Sequence, residues 1–340
     1  MTEGDAEGTC CPRCELQIAG HAQAKLGEQV WHASCARTCY HCRGELGSQV
    51  MLPQEGKGSG MPHHHACAKL RCHVCGHHLP ESSPGSQTFT KHPFFGNDMY
   101  CPSHSFDGTR ACVACCRFEG IDLPAHAELE DGSPLCVHCM STSVLSNEEC
   151  LPLLSQAIAT FAEFAGTKER LGVSEATQVP LKLVTTTELN EERGGKLGGP
   201  ASCRGLSTFQ YSDRNHSPHL LEVKVQKGLP KMHMQSVLSH ELSHVLLKTS
   251  MPNAGRNLEH WAEEGVCQLF ALLTLQRISK SAEKQDDAVE AASAAQTMLD
   301  DPSEVYGHGL RIASDLHSSE GMDSVLLRLR ESGTILPQES

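Results

Sequence analysis

Two histidines four residues apart, with a glutamate beside the first, form the clearest chemical signal in the chain: His240-Glu241-Leu-Ser-His244. Val237, Leu238, Leu242, Val245 and Leu246 around them give the apolar stripe of a helix. Positions i and i+4 project from one helix face, so a single divalent ion can be gripped by both imidazoles. Glu241 stands where a carboxylate can take a proton from an attacking water, as metal-assisted hydrolysis requires. Nineteen residues separate His244 from Glu264, in Trp261-Ala-Glu263-Glu264-Gly265-Val-Cys-Gln268, where a second apolar helix begins and runs on through Leu269, Phe270, Leu272 and Leu273. A carboxylate there completes a His2Glu zinc site with its fourth position open. Glu263 is the rival ligand; neighbouring helical residues point about 100° apart, so only one of the two faces the ion.

Hydrolysis of a peptide also calls for a donor to the developing oxyanion. Tyr306 and His308, in the glycine-punctuated stretch Asp301-Pro-Ser-Glu-Val-Tyr306-Gly-His308-Gly-Leu-Arg311, are the candidates, ahead of His233 and His260.

The other ligand-type residues are concentrated near the amino end. Of 18 cysteines only Cys203 and Cys267 follow Cys150. They fall into close pairs: Cys11-x2-Cys14 with His32-x2-Cys35, Cys39-x2-Cys42 with His64-x2-Cys67, Cys72-x2-Cys75 with Cys101-x2-His104, and Cys112-x2-Cys115 with Cys136-x2-Cys139. Two residues between the members of a pair let a tight turn aim both side chains at one ion, and four sulfur or nitrogen ligands satisfy tetrahedral Zn2+. His92 is an alternative ligand for the third site, and Cys10, Cys116 and Cys150 are left over. Sites with every position filled by protein stabilise a fold and do not turn over substrate. The expected complement is thus five Zn2+, one catalytic and four structural.

In the chain as a whole, 28 Lys+Arg against 41 Asp+Glu give a formal charge of −13, which leaves no broad basic face for phosphate backbones and argues against nucleic acid as partner. No stretch has the length and apolarity of a membrane span, and the acidic start lacks a leader's apolar segment, so the expectation is a soluble cytoplasmic protein with the nucleus also open to it. Beyond Cys150 the composition becomes that of an ordinary globular domain. Leu154, Ile158, Phe161 and Ala165 recur at helical spacing over 151–171, whereas Leu181, Leu183 and Thr185, and Leu221, Val223 and Val225, alternate as half-buried strands do. Gly194, Gly195, Gly198 and Gly199 mark a loop between them.

Two zinc sites joined by a short connection, with Trp31 before His32, resemble a LIM domain, although three residues (Ala36, Arg37, Thr38) separate the sites where two are usual. The whole chain resembles the plant LIM-domain latent metallopeptidases that limit organ growth and are activated by ubiquitination. The resemblance is carried by Trp31-His32 with Cys35, His92-Pro-Phe with Tyr100-Cys-Pro-Ser-His104, Val179-Pro-Leu, Leu189-Asn-Glu, Arg204-Gly-Leu, Gly228-Leu-Pro, His240-Glu241-x-x-His244, Glu263-Glu264-Gly-Val-Cys-Gln268 and Val305-Tyr-Gly-x-Gly-x-Arg311. It implies an α+β protein with a LIM domain over 1–68, a LIM-like domain over 69–148 and a zincin-like peptidase domain of the glutamate-zincin type over 149–340. It favours Glu264 over Glu263, through the Trp-x-x-Glu-Gly pattern. It further implies protein substrates, including ubiquitin ligases, and control by ubiquitin. The ubiquitin-interacting helices of such relatives stand ahead of the LIM domain, and ten residues precede Cys11 here. Asp286-Asp287-Ala288-Val289 has a slight likeness to such a helix, but an Ala-rich solvated helix accounts for it better.

Overall fold

The computed structural model describes residues 10–26, 29–40, 44–47, 61–64, 70–83, 86–96, 98–165, 178–192, 204–212, 218–250 and 258–336. The chain divides into two compact units, Met1–Gly108 with Gly120–Asp122, and Thr109–Glu119 with Leu123–Ser340.

Among the described residues the first unit has little regular structure, because closely spaced ligand pairs dictate turns. The chain forms strands β1 (Gln23–Leu26) and β2 (Gln29–His32), helix α1 (Ala33–Ala36), and the short strands β3 (Glu81–Ser83), β4 (Ser86–Gln87), β5 (Thr90–Lys91) and β6 (Met99–Tyr100). β1–β2, β3–β4 and β5–β6 are antiparallel ribbons. Trp31, 1% exposed, packs with Cys11, Ile18 and Ala36 as the small apolar centre of the first finger. Arg13 ties the three-residue connection down: its guanidinium donates to the carbonyls of Cys35 (3.0 Å), Thr38 and Cys39 (3.3 Å).

One turn recurs at the first cysteine of all four groups. The amide of Cys11 donates to Leu16 O, Cys39 to Gly44 O, Cys72 to His77 O and Cys112 to Arg117 O, each across five residues at 2.7–2.9 Å. The residue before each cysteine pairs with the residue seven further on: Cys10 with Gln17, Thr38 with Glu45, Arg71 with His78 and Ala111 with Phe118. This zinc-knuckle turn needs a left-handed residue just past the second cysteine, which explains Glu15 (φ 60°), Gly76 (φ 72°) and Cys116 (φ 64°). Cys116, unassigned by ligand spacing, is therefore the turn residue of the fourth knuckle.

The second unit contains β7 (Ala127–Glu128), β8 (Pro134–Leu135), α2 (Val137–Met140), α3 (Asn147–Ala165), β9 (Leu181–Val184), α4 (Thr186–Glu192), β10 (Gly205–Tyr211), β11 (Pro218–Gln226), α5 (Lys231–Ser250), α6 (His260–Ser281), α7 (Gln285–Leu299), a π-helical turn (Glu304–His308), α8 (Gly309–Glu320) and α9 (Met322–Ser332). α3 starts four residues before the apolar periodicity does. The reason is a capping box: Ser146 Oγ accepts from the Glu149 amide at 3.2 Å, while the Glu149 carboxylate accepts from the amides of Leu145 (2.8 Å) and Ser146 (3.2 Å). Its expected extension through 171 and the four-glycine loop lie outside the described residues.

β9, β10 and β11 form a mixed sheet of order β10-β11-β9, antiparallel between β10 and β11 and parallel between β11 and β9. Alternation holds with two adjustments. Val184 rather than Thr185 buries the end of β9, and Leu221 faces solvent while Val223 and Val225 are enclosed. Behind the sheet, α5 and α6 pack along their lengths. Leu238, Leu242, Val245 and Leu246 meet Ala262, Val266, Leu269 and Phe270, and Phe161 of α3 stacks on Phe270 with ring centroids 4.3 Å apart. Each such leucine contributes roughly 1.5–3 kcal/mol by burial, and the pair of helices that carries the candidate site lies in the core of the unit.

The unit boundary falls inside the span expected as a LIM-like domain, with the third cysteine group in the first unit and the fourth in the second. Leu135, Cys136, Cys139 and Val144 share one core with Leu229, Met234 and Leu238. Backbone bonds tie them together: Val144 N to Leu229 O and Gly228 N to Val144 O at 2.9 Å, and Lys231 N to Thr142 O at 3.0 Å. α7, which contains Asp286–Ala292, turns Ala291 and Ala295 into the core and is not solvated all round. Among the described residues no helix is long and apolar enough to cross a membrane.

Candidate metal centre

Three groups of four converge as the ligand spacing requires. In each of Cys11/Cys14/His32/Cys35, Cys72/Cys75/Cys101/His104 and Cys112/Cys115/Cys136/Cys139, the candidate ligand atoms all lie within 4.8 Å of one another. Zinc–sulfur arms of about 2.3 Å at a tetrahedral angle put two sulfurs roughly 3.8 Å apart; Cys115 Sγ and Cys136 Sγ are separated by 3.7 Å. His32 turns Nδ1 toward Cys14 Sγ (3.3 Å), and its Nε2 is anchored on Gln17 O at 3.0 Å. His104 bonds through Nδ1 to Asp107 at 2.8 Å. His92 is committed elsewhere, its Nδ1 accepting from the amides of Phe94 (3.1 Å) and Phe95 (3.0 Å). Of the second group, Cys39 and His64 are described; Cys42 and Cys67 lie outside the described residues.

The acidities of these thiols are those of groups that could hold a cation. Burial pushes Cys11 up, but the amides of His32, Arg13 and Cys14 outweigh it and bring it down to about 6; burial and the neighbouring Cys11 and Cys14 push Cys35 up to about 11. Cys72, where backbone donors again outweigh burial, and Cys101, raised by burial and by Cys72, split the same way, to about 7 and about 12. One thiolate forms and opposes the next until a metal offsets the charge.

The fourth convergence comes from the α5–α6 pair. His240, His244 and Glu264 bring their ligand atoms within 4.8 Å of one another. The two Nε2 atoms are 3.3 Å apart, and Glu264 Oε2 is 3.3 Å from His240 Nε2 and 3.7 Å from His244 Nε2. Arms of about 2.0–2.1 Å at a tetrahedral angle separate two ligand atoms by about 3.3 Å, so the donor set and its spacing fit Zn2+. Glu263 lies elsewhere: its Oε1 is 2.9 Å from His244 Nδ1 and 2.7 Å from Lys248 Nζ.

Burial alone would lower the pKa of His244, yet Cys267 and the carboxylates of Glu263 and Glu264 hold it well above 6.5. Burial would likewise raise both glutamates. His244 and Lys248 instead bring Glu263 down to about 2, and the two histidines hold Glu264 below the usual carboxylate range. Acceptors converging on one point in a buried place favour positive charge there.

Glu241 is 4% exposed and belongs to a different contact. Its Oε2 accepts from Ser207 Oγ at 2.7 Å, and β10 runs so close that a Cβ on Gly205 would lie 2.5 Å from Glu241 Oε1 and 2.8 Å from Val237 Cγ1. β10 is the outer strand of its sheet among the described residues, so Glu241 sits beneath a sheet edge. Tyr306 and His308 lie in the π-helical turn between α7 and α8, and the His308 ring lies 6.1 Å from that of Trp261, next to the start of α6. Neither is part of the three-residue cluster. His260 Nδ1 is 4.0 Å from Glu264 Oε1 and largely exposed; His233 is held neutral at about 3 by burial and by the charge of Arg204.

Gly205, Ser207, Lys248 and Cys267, whose Sγ lies 3.5 Å from His244 Nδ1, were not marked by motif spacing. Gly205 and Cys267 stand within stretches that carry the family resemblance, Lys248 lies one helical turn beyond His244, and Ser207 had no local signal.

Fold and clusters together define a class: an α+β chain whose Cys/His groups resemble zinc-finger and LIM modules, accompanied by a helix pair that presents His-Glu-x-x-His and a second-helix carboxylate. The DA1-like family profile, described as Protein DA1, matches residues 215–300, the segment that holds β11, α5, α6 and α7. Protein DA1 of Arabidopsis thaliana is 29% identical over 328 residues, covering 87% of this chain and 58% of its own length. The LIM domain-containing protein HDR3 of Oryza sativa subsp. japonica is 29% identical over 298 residues (78% and 56%), and Protein DA1-related 2 of Arabidopsis thaliana 27% over 381 (95% and 69%). The similarity to these plant proteins is of low identity, and the chain spans a little over half the length of Protein DA1.

Proposed function

We propose that this chain is a zinc-dependent peptidase in which His240, His244 and Glu264 hold the metal and Glu241 is the general base, joined to a LIM-type region that binds protein partners. The convergence of two imidazole Nε2 atoms and one carboxylate at 3.3–3.7 Å, with a further glutamate beneath a sheet edge, supports it. Bound there, Zn2+ would supply Lewis acidity toward a carbonyl and lower the pKa of water. Glu241 takes a proton from the attacking water and returns it to the leaving amine. Tyr306 or His308 donates to the oxyanion. Regulatory proteins of the ubiquitin pathway, with ubiquitin ligases and ubiquitin itself among the partners, and a cytoplasmic or nuclear setting complete the proposal.

The test compares wild type with Glu241→Gln for cleavage of the chain itself and of candidate ubiquitin ligases, with and without prior ubiquitination. A product that disappears in Glu241→Gln while the metal content stays the same is expected. No Glu241-dependent product under any condition overturns the peptidase reading.

A second reading asks less of the chain: an adaptor whose zinc sites, including that of His240, His244 and Glu264, are all structural. The closed Cys/His groups have that chemistry already, and the 2.7 Å bond from Ser207 favours the reading, because it occupies an oxygen that a working base must offer to water. An occupied site with no turnover is its signature.

A further inference from the structure

The second carboxylate of the Glu263-Glu264 pair stands on the far side of His244 from the cluster. We propose that Glu263 and Lys248 form a positioning dyad, in which the Glu263 carboxylate fixes the ring and tautomer of His244 and Lys248 holds that carboxylate in place. The proposal rests on the reading of His240, His244 and Glu264 as a metal site, whether that site is catalytic or structural.

The geometry runs in one line. Lys248 Nζ is 2.7 Å from Glu263 Oε1, Glu263 Oε1 is 2.9 Å from His244 Nδ1, and His244 Nε2 faces His240 Nε2 and Glu264 Oε2. An ionised carboxylate only accepts hydrogen bonds, so His244 must carry a proton on Nδ1, and Nε2 is the nitrogen whose lone pair is left for a cation that displaces its proton. A carboxylate behind a ligating imidazole fixes the ring orientation and raises its basicity.

Two features make this an arrangement toward a metal rather than a stray ion pair. His244 and Lys248 are one turn apart on α5 and grip the same oxygen from one helix, and the Glu263 side chain is only 11% exposed. Glu263 and Glu264 are adjacent in sequence, and two buried carboxylates so close repel each other unless each has its own cation. Lys248 serves Glu263, which leaves Glu264 for the ion. The Cys267 thiol, 3.5 Å from the same Nδ1, also faces that side of the ring, but a neutral thiol is a weak acceptor and does not match an ionised carboxylate.

The experiment measures zinc retention by the full chain. Each protein is loaded with Zn2+ and titrated with a chromophoric chelator too weak to strip cysteine-rich sites, and the ions released are counted against chelator concentration. Wild type is expected to release one weakly held ion that Glu264→Gln lacks from the start. Glu263→Ala should hold this ion about 10- to 100-fold more weakly. Glu263→Gln, whose amide oxygen still accepts from Nδ1, should recover part of the loss. Lys248→Met should weaken retention alone but add nothing in a Glu263→Ala background, because it acts only through Glu263. The cysteine-held zinc and the far-ultraviolet circular dichroism should not change.

Wild-type retention in Glu263→Ala, or additive effects of the two substitutions, overturns the dyad while leaving the metal site standing. Absence of any ion lost on Glu264→Gln removes the metal site and the dyad with it.

Discussion

Gly265 and Gly309 meet backbone to backbone: a Cβ on Gly265 would lie 2.4 Å from the carbonyl carbon of Gly309, and one on Gly309 would lie 2.4 Å from Trp261 O. The contact comes one residue after Glu264, so the depth at which α6 seats its carboxylate is set by the absence of two side chains. Gly265→Ala should force the helices apart and cost about 1–3 kcal/mol as an overpacked contact. Thermal unfolding should show a lower melting temperature by about 2–4 °C per kcal/mol, together with weaker retention of the ion that depends on Glu264. Wild-type values in both measurements would mean that α6 has room to move.

A second close approach acts on the proposed base. Gly205→Ala would place a methyl carbon 2.5 Å from Glu241 Oε1 and 2.8 Å from its Cγ, displacing the carboxylate without touching His240, His244 or Glu264. Peptidase turnover should fall by at least tenfold, about 1.4 kcal/mol in the barrier, while zinc content stays the same. Ser207→Ala is the milder test, since it removes one donor from a buried carboxylate, a loss of about 1–3 kcal/mol in stability. Unchanged turnover in Gly205→Ala would indicate that Glu241 is not the base.

Much of this site was legible in spacing alone, and the remainder was not for identifiable reasons. His240 and His244 share a helix face because of the 3.6-residue period, which any sequence displays. The choice between Glu263 and Glu264 depends on how α6 is rotated against α5, a tertiary fact that adjacent residues cannot encode, and both carboxylates lie within 4 Å of the His244 ring nitrogens. The four cysteine groups could be read as ligand pairs, yet nothing local told that the fourth shares a core with α5. Its partners, Leu229 and Met234, lie nearly a hundred residues further on. Arg204-Gly-Leu marked Gly205 only as part of a resemblance, and the neighbouring helix is what gives it a physical role.

That shared core makes the fourth knuckle structural for the second unit as a whole. Cys136 and Cys139 are buried beside Leu135, Val144 and Leu229, so Cys139→Ser should leave buried thiols with no ion to offset them and loosen the start of α5. Structural zinc contributes folding free energy directly. Limited proteolysis should cut within 109–340 in Cys139→Ser, whereas Cys11→Ser should leave that pattern as in wild type. Equal resistance of both variants would show that the core of α3, α5 and β11 stands without the knuckle.

The left-handed residue after Cys14, Cys75 and Cys115 gives a test in the opposite direction. Glu15 is exposed, and at φ 60° it occupies a conformation that costs an ordinary residue roughly 1–2 kcal/mol and glycine almost nothing. Gly76 already occupies the equivalent place in the third knuckle. Glu15→Gly should therefore stabilise the first finger by about 1 kcal/mol, read as a higher chelator concentration needed to release its zinc. A finger that becomes easier to strip would mean that Glu15 makes a contact worth more than its backbone strain.

His233 sets the expected pH dependence of the second unit. Burial first, then the positive charge of Arg204, pushes its pKa from 6.5 down to about 3, so the folded chain keeps the ring neutral where the unfolded chain would protonate it. The unfolded state then binds more protons, and stability rises with pH. The contribution is complete above pH 6.5 and is lost as the pH falls from there toward 3, amounting to about 2 kcal/mol by pH 5. His233→Gln cannot take up a proton, so its melting temperature should fall less between pH 7 and pH 5 than that of wild type. Zinc loss from the thiolates acts on both proteins alike and drops out of the comparison. Parallel curves for the two proteins would show that His233 already meets water in the folded chain, and that the acid sensitivity resides in the cysteine groups.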